Sequence, residues 1–375
     1  MRSLILYILV FLNLQINEKT IQLFYKDKIV YFRVMNFFRK ILFPFAILYS
    51  TIASIRNYLY DIGLLKSYTF NLPIIVVGNI SAGGTGKTPQ IEYLIRLLTD
   101  KYKVATLSRG YKRKSSGFIL ADANANAKII GDEPYQYFTK FPTIQVAVDA
   151  DRKNGIEQLL SNSSQPEVIL LDDAYQHRRV KAGFYILLTA YDELYSNDFQ
   201  LPTGNLRENR SGAKRANVII VTKCPSDLSK EEQETIKKKL TISASQSLFF
   251  STIEFDEYVY SENGKRPVSE ILNVDKILLA GIAKPQTFFA HLQSNKETCL
   301  TFPDHHHFNE KDLREIKNKA EKNIIITTEK DFVRLNRSLP KEQLYYLPIK
   351  TKFLFEGDNF DKIIINYVES SSRIS

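Results

Sequence analysis

A glycine-rich segment near residue 80 has the composition of a phosphate-binding loop. Its glycines allow tight turns that point successive backbone N–H groups at phosphate oxygens. Lys87 can reach the β- and γ-phosphates of a nucleotide, and the Thr88 hydroxyl can bind Mg²⁺. The residues predicted to bind the nucleotide are Ser81, Ala82, Gly83, Gly84, Thr85, Gly86, Lys87 and Thr88.

The segments on either side of the loop support this prediction. Residues 72–77 are mostly apolar and β-branched, as in a strand buried on both faces. After the loop, apolar residues recur with helical spacing at positions 91, 94, 95 and 98. The strict motif has glycine where Ser81 stands, but the order of strand, glycine loop and helix is that of a P-loop.

The sequence contains two pairs of adjacent carboxylates that could take part in phosphoryl transfer. Asp172 and Asp173 directly follow the apolar run 168–171, a position from which an acidic residue binds Mg²⁺ directly or through water. Asp132 and Glu133 lie in a Gly-Asp-Glu-Pro turn, where a carboxylate can accept the proton of a hydroxyl group. The alternative for Asp132, and for either member of the first pair, is helix capping.

Several further apolar runs alternate with helical stretches. They span residues 104–107, 168–171, 185–188, 218–221 and 324–326. Such alternation predicts an α/β fold with a mainly parallel sheet. Ligands of such sheets bind beyond the carboxyl ends of the strands, so the residues after each run are the ones to inspect.

Two other polar segments are open to more than one interpretation. Residues 108–114 contain four basic side chains, Arg109 among them, and predict either an anion site or a solvated basic loop. The run Asp304-His305-His306-His307 contains potential metal ligands, but consecutive histidines do not naturally share one tetrahedral face. A carboxylate–imidazole network is the alternative.

The N-terminal region contains two apolar segments. Met35 is the only methionine besides Met1, and residues 1–34 are interpreted as an upstream extension, with a dispensable N-terminal arm as the alternative. Residues 41–55 carry no charge and are flanked by Arg39, Lys40 and Arg56, with several aromatic residues nearby. This pattern favours a helix lying in a membrane interface over one that crosses the bilayer. A core-packing helix is the alternative.

The composition narrows the class of protein. The formal net charge of +10 favours anionic partners, whether nucleic acid, phosphorylated substrate or a membrane surface. Two cysteines cannot form a disulfide framework for 375 residues, which favours a reducing compartment.

Taken together, the motifs resemble the lipid A 4′-kinase (tetraacyldisaccharide 4′-kinase) family, and the resemblance covers almost the whole chain from Met35. The ordered motifs that carry it are Val77-Gly78-Asn79 with Gly83 to Pro89, Ser108-Arg109-Gly110-Tyr111, Gly131-Asp132-Glu133-Pro134, Leu171 to Arg178, Pro202 to Glu208, Asp304-His305-His306 and Thr328-Glu329-Lys330-Asp331.

The resemblance implies a membrane-associated kinase. It implies transfer of the γ-phosphate of ATP, with Mg²⁺, to the 4′-hydroxyl of a tetraacylated glucosamine disaccharide 1-phosphate in lipid A biosynthesis. It also implies work at the cytoplasmic face of the bacterial inner membrane, with no nucleic-acid partner. The implied fold is a P-loop NTPase-type sheet with a second, smaller α/β domain, joined by a two-stranded linker.

The resemblance also assigns roles to individual residues. It makes Asp132 the catalytic base, assisted by His305 or alternatively His306, and Lys87 the group that stabilises the transferring phosphate. The implied metal ligands are Thr88, Glu133 and Asp172, supported by Asp173. The implied contacts to lipid substrate or phosphate are Arg109, Gln176, His177 and Arg207.

The expected organisation has five parts. They are the extension 1–34, a membrane-interface helical segment 35–70, a P-loop kinase domain 71–247, linker strands with a smaller domain 248–355, and a C-terminal helix and tail 356–375. The linker is expected to pair residues 248–260 with residues 344–355.

Two other functions remain open from sequence. A membrane-recruited P-loop ATPase switch would hydrolyse ATP without a lipid acceptor, although such switches often carry an early loop lysine that Ser81 and Ala82 do not supply. An ATP-dependent ligase of the same fold would phosphorylate a carboxylate.

Overall fold

Two β-sheets of unequal size organise the described part of the chain. The computed structural model describes residues 39, 41–294, 297–304 and 306–372. The predicted extension 1–34 and His305 lie outside the described residues, so both assignments stay predictions.

The strands follow the apolar runs found in the sequence. They are β1 (Ile74–Gly78), β2 (Val104–Ser108), β3 (Ile119–Leu120), β4 (Gln145–Val148), β5 (Val168–Asp172), β6 (Phe184–Ala190), β7 (Val218–Thr222), β8 (Ser247–Phe255), β9 (Tyr258–Ser261), β10 (Gly264–Pro267), β11 (Lys276–Ala280), β12 (Glu297–Thr301), β13 (Ile324–Thr328), β14 (Leu344–Leu347) and β15 (Ile349–Phe353).

The helices lie between the strands and at both ends of the described chain. They are α1 (Phe43–Asp61), α2 (Lys87–Leu98), α3 (Ala127–Ile130), α4 (Asp132–Lys140), α5 (Arg152–Ser161), α6 (Lys230–Leu240), α7 (Val268–Ile271), α8 (Gln286–Leu292), α9 (Glu310–Ala320), α10 (Glu329–Leu335) and α11 (Gly357–Ser372).

The larger sheet has the order β15-β8-β7-β6-β1-β5-β2-β4-β3. The strands from β8 to β4 run parallel, and the edge strands β15 and β3 are antiparallel to their neighbours. The phosphate-loop strand β1 therefore lies in the middle, between β5 and β6. This is the predicted α/β architecture with a mainly parallel sheet.

Both faces of the larger sheet are covered, which explains why β1 is apolar throughout. Ile75 and Val77 pack in one layer with residues of α2 and α11. Ile74 and Val76 pack in the opposite layer with residues of α5 and α6. Full burial of each such side chain contributes about 1.5–3 kcal/mol, so the central strand is firmly fixed.

The smaller sheet forms the second α/β unit, with the order β10-β9-β14-β13-β11-β12. The strands β14, β13, β11 and β12 run parallel. Strand β9 is antiparallel to β14, and β10 pairs antiparallel with β9 in a hairpin at the edge of the sheet. Helices α8 and α9 contribute buried side chains to the two faces of this sheet.

Two chain crossings connect the sheets. β8 pairs antiparallel with β15 at the edge of the larger sheet, and β9 pairs antiparallel with β14 in the smaller one. The two crossing segments therefore run side by side, as the predicted linker of residues 248–260 and 344–355 requires.

Helix α1 lies on the outside of the larger domain. Of its residues only Ala46 is buried. Its exposed apolar and aromatic side chains are Phe43, Phe45, Ile47, Leu48, Tyr49, Ile52, Ile55 and Tyr58. The alternative of a core-packing helix is therefore wrong. Among the described residues no helix is long and apolar enough to span a bilayer.

Candidate active site

The phosphate loop connects β1 to α2 in the predicted order. Gly86 precedes the helix with a φ of 83°, a left-handed conformation that glycine adopts without strain. Lys87 opens the helix, and its Nζ lies 3.3 Å from Asn79 Oδ1 and 3.5 Å from Asp173 Oδ1. The ammonium group is thus held across the loop, where a P-loop lysine reaches phosphate.

A second segment fixes the loop from outside. The Ala82 N–H donates to the Asn205 carbonyl at 2.6 Å, and the Arg207 N–H donates to the Ile80 carbonyl at 2.7 Å. The motif 202–208 therefore forms a short backbone bridge to the loop, and it holds residues 80–82 in place independently of any bound nucleotide.

Asp172 and Asp173 stand at the carboxyl end of β5, beside the loop. Asp172 is buried; its Oδ2 accepts a hydrogen bond from the Tyr137 hydroxyl at 3.2 Å, and its Oδ1 has no hydrogen-bond donor among the described residues. Asp173 has a φ of 47°, uncommon for a non-glycine residue, and its carboxylate accepts hydrogen bonds from Arg207 Nη1 at 3.1 Å. No helix begins at either residue, so the capping alternative is wrong here.

The two carboxylates differ in their affinity for a proton. Burial, together with the negative charges of Asp173 and Glu133, raises the pKa of Asp172 to about 7. Burial also acts to raise the pKa of Asp173, but Lys87 and Arg207 more than offset it and hold that pKa below its ordinary value. Asp172 is thus a buried acid, and the charge of Lys87 only partly offsets the rise of its pKa.

This environment fits a divalent cation that binds together with a nucleotide. The described residues contain no cluster of three or more His, Cys, Asp or Glu side chains with metal-binding geometry. Mg²⁺ is commonly held by one or two carboxylates, with substrate phosphates and water completing its shell. The unpaired Oδ1 of Asp172 suits such a site, and Tyr137 connects this carboxylate to the Thr88 side chain through its hydroxyl.

Asp132 and Glu133 open helix α4 and meet the smaller domain. Gly131 is the residue before the helix, and no side chain caps it, so the capping alternative for Asp132 is wrong. The Asp132 carboxylate instead accepts hydrogen bonds from Arg334, and Glu133 Oε1 lies 3.4 Å from Lys330 Nζ. Both cations belong to α10, which brings the second domain to the predicted base.

The predicted basic loop touches the turn that precedes α4. Gly131 has a φ of 94°, and a Cβ there would lie 3.2 Å from the α-carbon of Gly110. The two glycines allow this close backbone approach. Arg109 next to them is exposed and makes no hydrogen bond or ion pair with another described residue.

His177 lies in the loop after β5, and the positive charges of three arginines from other segments act on it. Burial, followed by the positive charges of Arg152, Arg109 and Arg56, lowers the pKa of His177 to about 4. Its imidazole is therefore neutral at neutral pH. A neutral histidine among three cations is an environment suited to an anionic group.

Gln176 and Arg207 tie the neighbouring loops together. The Gln176 side-chain amide donates to the Asn79 carbonyl and to Glu208 Oε1, both at 2.9 Å. Arg207 pairs with Asp173. Of the four residues expected to contact substrate, these two already have protein partners, whereas Arg109 and His177 line the cationic region.

The histidine run is only partly described. His306 Nε2 lies 2.8 Å from Asp312 Oδ2 in α9, so this imidazole takes part in a carboxylate–imidazole pair. His305 lies outside the described residues, and its assignment as the residue that assists the base remains a prediction.

Sequence reasoning missed two arginines near the site. Arg152 is 2% exposed; its Nη1 donates to the Asp149 carbonyl at 2.7 Å and its Nη2 to the Asp172 carbonyl at 3.4 Å. Arg152 follows strand β4. Because ligands bind beyond the carboxyl ends of parallel strands, an inspection of the residues after each strand would have identified it. Arg334 gave no such signal, because it lies within a helix.

The fold and the site define a P-loop phosphotransferase. The strand order, the loop lysine and the carboxylates after β5 supply the parts of that class. The chain belongs to the tetraacyldisaccharide-1-P 4′-kinase (LpxK) family, whose family model matches residues 38–369.

Individual relatives agree with this assignment. A protein from Flavobacterium psychrophilum named tetraacyldisaccharide 4′-kinase is 64% identical over 90% of this chain and 99% of its own. One of the same name from Bacteroides thetaiotaomicron is 44% identical over 90% of this chain and 95% of its own. The crystal structure of the "apo" form of LpxK from Aquifex aeolicus in complex with ATP matches with a TM-score of 0.72 and 31% identity, covering 88% of this chain and 99% of that one.

Proposed function

We propose that the protein transfers the γ-phosphate of ATP to the 4′-hydroxyl of a tetraacylated glucosamine disaccharide 1-phosphate. The observation that carries this proposal is the arrangement around the phosphate loop. Lys87 lies beside Asp173, and Tyr137 connects Asp172 and Thr88 to helix α4, which begins with the carboxylate pair 132–133. A kinase requires a phosphate-binding loop and a group that takes the proton of the acceptor hydroxyl.

In the proposed reaction the acceptor hydroxyl gives its proton to Asp132. The hydroxyl oxygen then bonds to the γ-phosphorus, while the bond from that phosphorus to the bridging oxygen of ADP breaks and ADP leaves with the electron pair. Lys87 stabilises the negative charge on the transferring phosphate. His305 assists Asp132 in this scheme.

Mg²⁺ is proposed to bind through Thr88, Asp172 and Glu133, with Asp173 in support. The ion supplies neutralising charge to the phosphate oxygens. Asp172, whose pKa is raised to about 7, would hold the cation in its deprotonated form.

The cationic region around His177 is proposed to receive the phosphorylated substrate. Arg109 makes no ion pair with another described residue, and its charge and those of Arg56 and Arg152 act on the same imidazole. Gln176 and Arg207 are proposed to contribute from the adjoining loops, where they also fix the backbone.

The protein is proposed to act at the cytoplasmic face of the inner membrane, with α1 in the interface. The exposed apolar face of α1 and the net charge of +10 both favour an anionic membrane surface. Polar contacts anchor the helix beside the site: the Tyr49 hydroxyl donates to the Arg207 carbonyl at 2.8 Å, and Arg56 Nη2 donates to the Gln176 carbonyl at 3.2 Å. A lipid acceptor would thus enter next to the phosphate loop.

The test is transfer of ³²P from γ-labelled ATP to a tetraacyl disaccharide 1-phosphate in detergent micelles with Mg²⁺. We expect labelled lipid from the wild-type protein and none from Lys87→Ala. If the wild-type protein binds and hydrolyses ATP but labels no lipid across several detergents and acyl patterns, the proposal is wrong and an ATPase switch is favoured.

A further inference from the structure

Arg334 of the smaller domain reaches across to the proposed base of the larger one. Its Nε donates to Asp132 Oδ2 at 3.0 Å, and its Nη2 donates to the same oxygen. The two residues are 202 positions apart in the chain. The Arg334 side chain is only 8% exposed, so this pair is largely shielded from water.

A second carboxylate fixes Arg334 from its own domain. Asp331 Oδ1 accepts from Arg334 Nη1 at 3.4 Å, while Asp331 Oδ2 accepts from the Gly281 N–H and the Thr328 hydroxyl, each at 2.8 Å. Asp331 is fully buried. The guanidinium group is therefore held between a rigid carboxylate of the smaller domain and the carboxylate of Asp132.

The shape of arginine suits this place better than that of lysine. A guanidinium group presents its donors in a fixed plane and stays charged at every relevant pH, whereas a lysine is a flexible point charge. The efficiency of a carboxylate base depends on its orientation toward the hydroxyl group. A misplacement of the reacting groups by about 1 Å can reduce the rate about 10²-fold. Arg334 holds one oxygen of Asp132 and so limits the rotation of the whole group.

We propose that Arg334 is a positioning residue that orients the Asp132 carboxylate and makes the base competent only when the smaller domain is docked on α4. This inference rests on the proposed function, in which Asp132 accepts the proton of the acceptor hydroxyl. Among the described residues Arg334 bonds to Asp132 and Asp331, so we expect its effect on the catalytic step and not on nucleotide binding.

The docking of α10 on α4 does not depend on Arg334 alone. Lys330 pairs with Glu133 at 3.4 Å, and Glu329 forms an ion pair with Lys140 at the other end of α4. Replacement of Arg334 therefore leaves two ion pairs between the helices, and we expect the variants to fold with both domains in contact.

The experiment compares Arg334→Gln, Arg334→Lys and Arg334→Ala in the transfer assay on the full chain. We expect Arg334→Gln to lower kcat about 10²-fold, with KM for ATP and for the lipid within about threefold of wild type. Arg334→Lys should recover part of kcat, and millimolar guanidinium should restore activity to Arg334→Ala. The matched control is Arg337→Gln, an exposed arginine that follows α10, which should behave as wild type.

Three results would overturn the inference. They are a kcat within threefold of wild type for Arg334→Gln, a loss expressed only in KM for the lipid, and a loss that neither lysine nor guanidinium restores in folded protein. Circular dichroism establishes the folded state of each variant. Failure of the proposed function is distinguishable, because the wild-type protein would then label no lipid at all.

Discussion

At the scale of single residues, Lys87 and Asp132 act on different reactants of the proposed reaction: Lys87 on the transferring phosphate and Asp132 on the acceptor hydroxyl. Lys87 Nζ contacts Asn79 and Asp173 within the larger domain, while Asp132 is held by Arg334 from the smaller one. Their loss should therefore affect different steps.

We expect Lys87→Ala and Asp132→Ala both to lose transfer activity, while only Lys87→Ala weakens ATP binding. Removal of the loop lysine takes away a charge–phosphate contact, and one charged hydrogen bond of about 1.5–3 kcal/mol corresponds to at least about a tenfold rise in Kd. Isothermal titration calorimetry with ATP measures this difference. A near-normal kcat in Asp132→Ala at saturating lipid would show that another group is the base.

His177 gives a prediction about protonation. Its pKa near 4 lies below the ordinary value, so the folded protein binds no proton at this imidazole until the pH falls well below 6. In an NMR titration of the histidine ring protons, the signal that His177→Asn removes should be that of an imidazole that stays neutral at pH 6. An ordinary titration of His177 near pH 6.5 would mean that burial and the arginine charges do not lower the pKa of this imidazole.

At the scale of elements, α1 combines an apolar outer face with polar anchors on its inner side. Besides the contacts of Tyr49 and Arg56, Asn57 donates to Glu208 at 3.0 Å, and Arg178 donates to the Asn57 carbonyl at 2.7 Å. The helix is thus fixed to the loops of the site by hydrogen bonds, and its apolar side chains remain exposed.

We expect the triple variant Phe45→Ser, Leu48→Ser and Ile52→Ser to lose affinity for vesicles of anionic lipid at least about tenfold. Burial of one such side chain contributes about 1.5–3 kcal/mol, and 1.4 kcal/mol is a factor of ten. Vesicle co-sedimentation measures the affinity. Phe355→Ser, which changes an exposed aromatic outside α1, serves as the control and should bind as wild type. Unchanged binding of the triple variant would exclude α1 as the membrane contact.

The local sequence determines several of the strands and helices. The apolar runs placed β1, β5 and β7 correctly, and the 91, 94, 95, 98 spacing placed the buried face of α2. These elements follow from periodicity and burial over a few residues. The capping alternative for Asp132 was wrong because Gly131 precedes the helix and Asp132 is its first residue; the partner of its carboxylate, Arg334, belongs to a distant part of the chain.

At the scale of the whole molecule, a buried charge cluster joins the two domains. Lys140 of α4 contacts Glu92 at 2.7 Å and also pairs with Glu329 of α10. Burial, and the charge of Glu92, raise the pKa of Glu329, because one ammonium group is shared between two carboxylates. Glu92 has Arg96 as a further partner, at 2.9 Å.

We expect Lys140→Met to reduce the free energy of unfolding by about 3 kcal/mol at neutral pH. Loss of one member of a buried ion pair costs about 3–5 kcal/mol, and Arg96 still partners Glu92, which favours the lower end. Urea unfolding measures the change. Lys319→Met breaks an exposed pair with Glu315 and should change stability by less than about 1 kcal/mol. Equal effects of the two substitutions would show that the cluster does not stabilise the domain contact.

The sequence by itself determined the phosphate loop, the sheet strands and the carboxylates that follow β5, because each depends on residues close together in the chain. The tertiary structure alone decided which groups contact the acidic residues of the site. Arg152 donates to the backbone carbonyl of Asp172, and Arg334 donates to the carboxylate of Asp132; both are contacts between separate elements, and no local pattern encodes them. The domain contact that brings α10 to α4 forms only when both sheets are complete, and it places an arginine of the smaller domain on the proposed base.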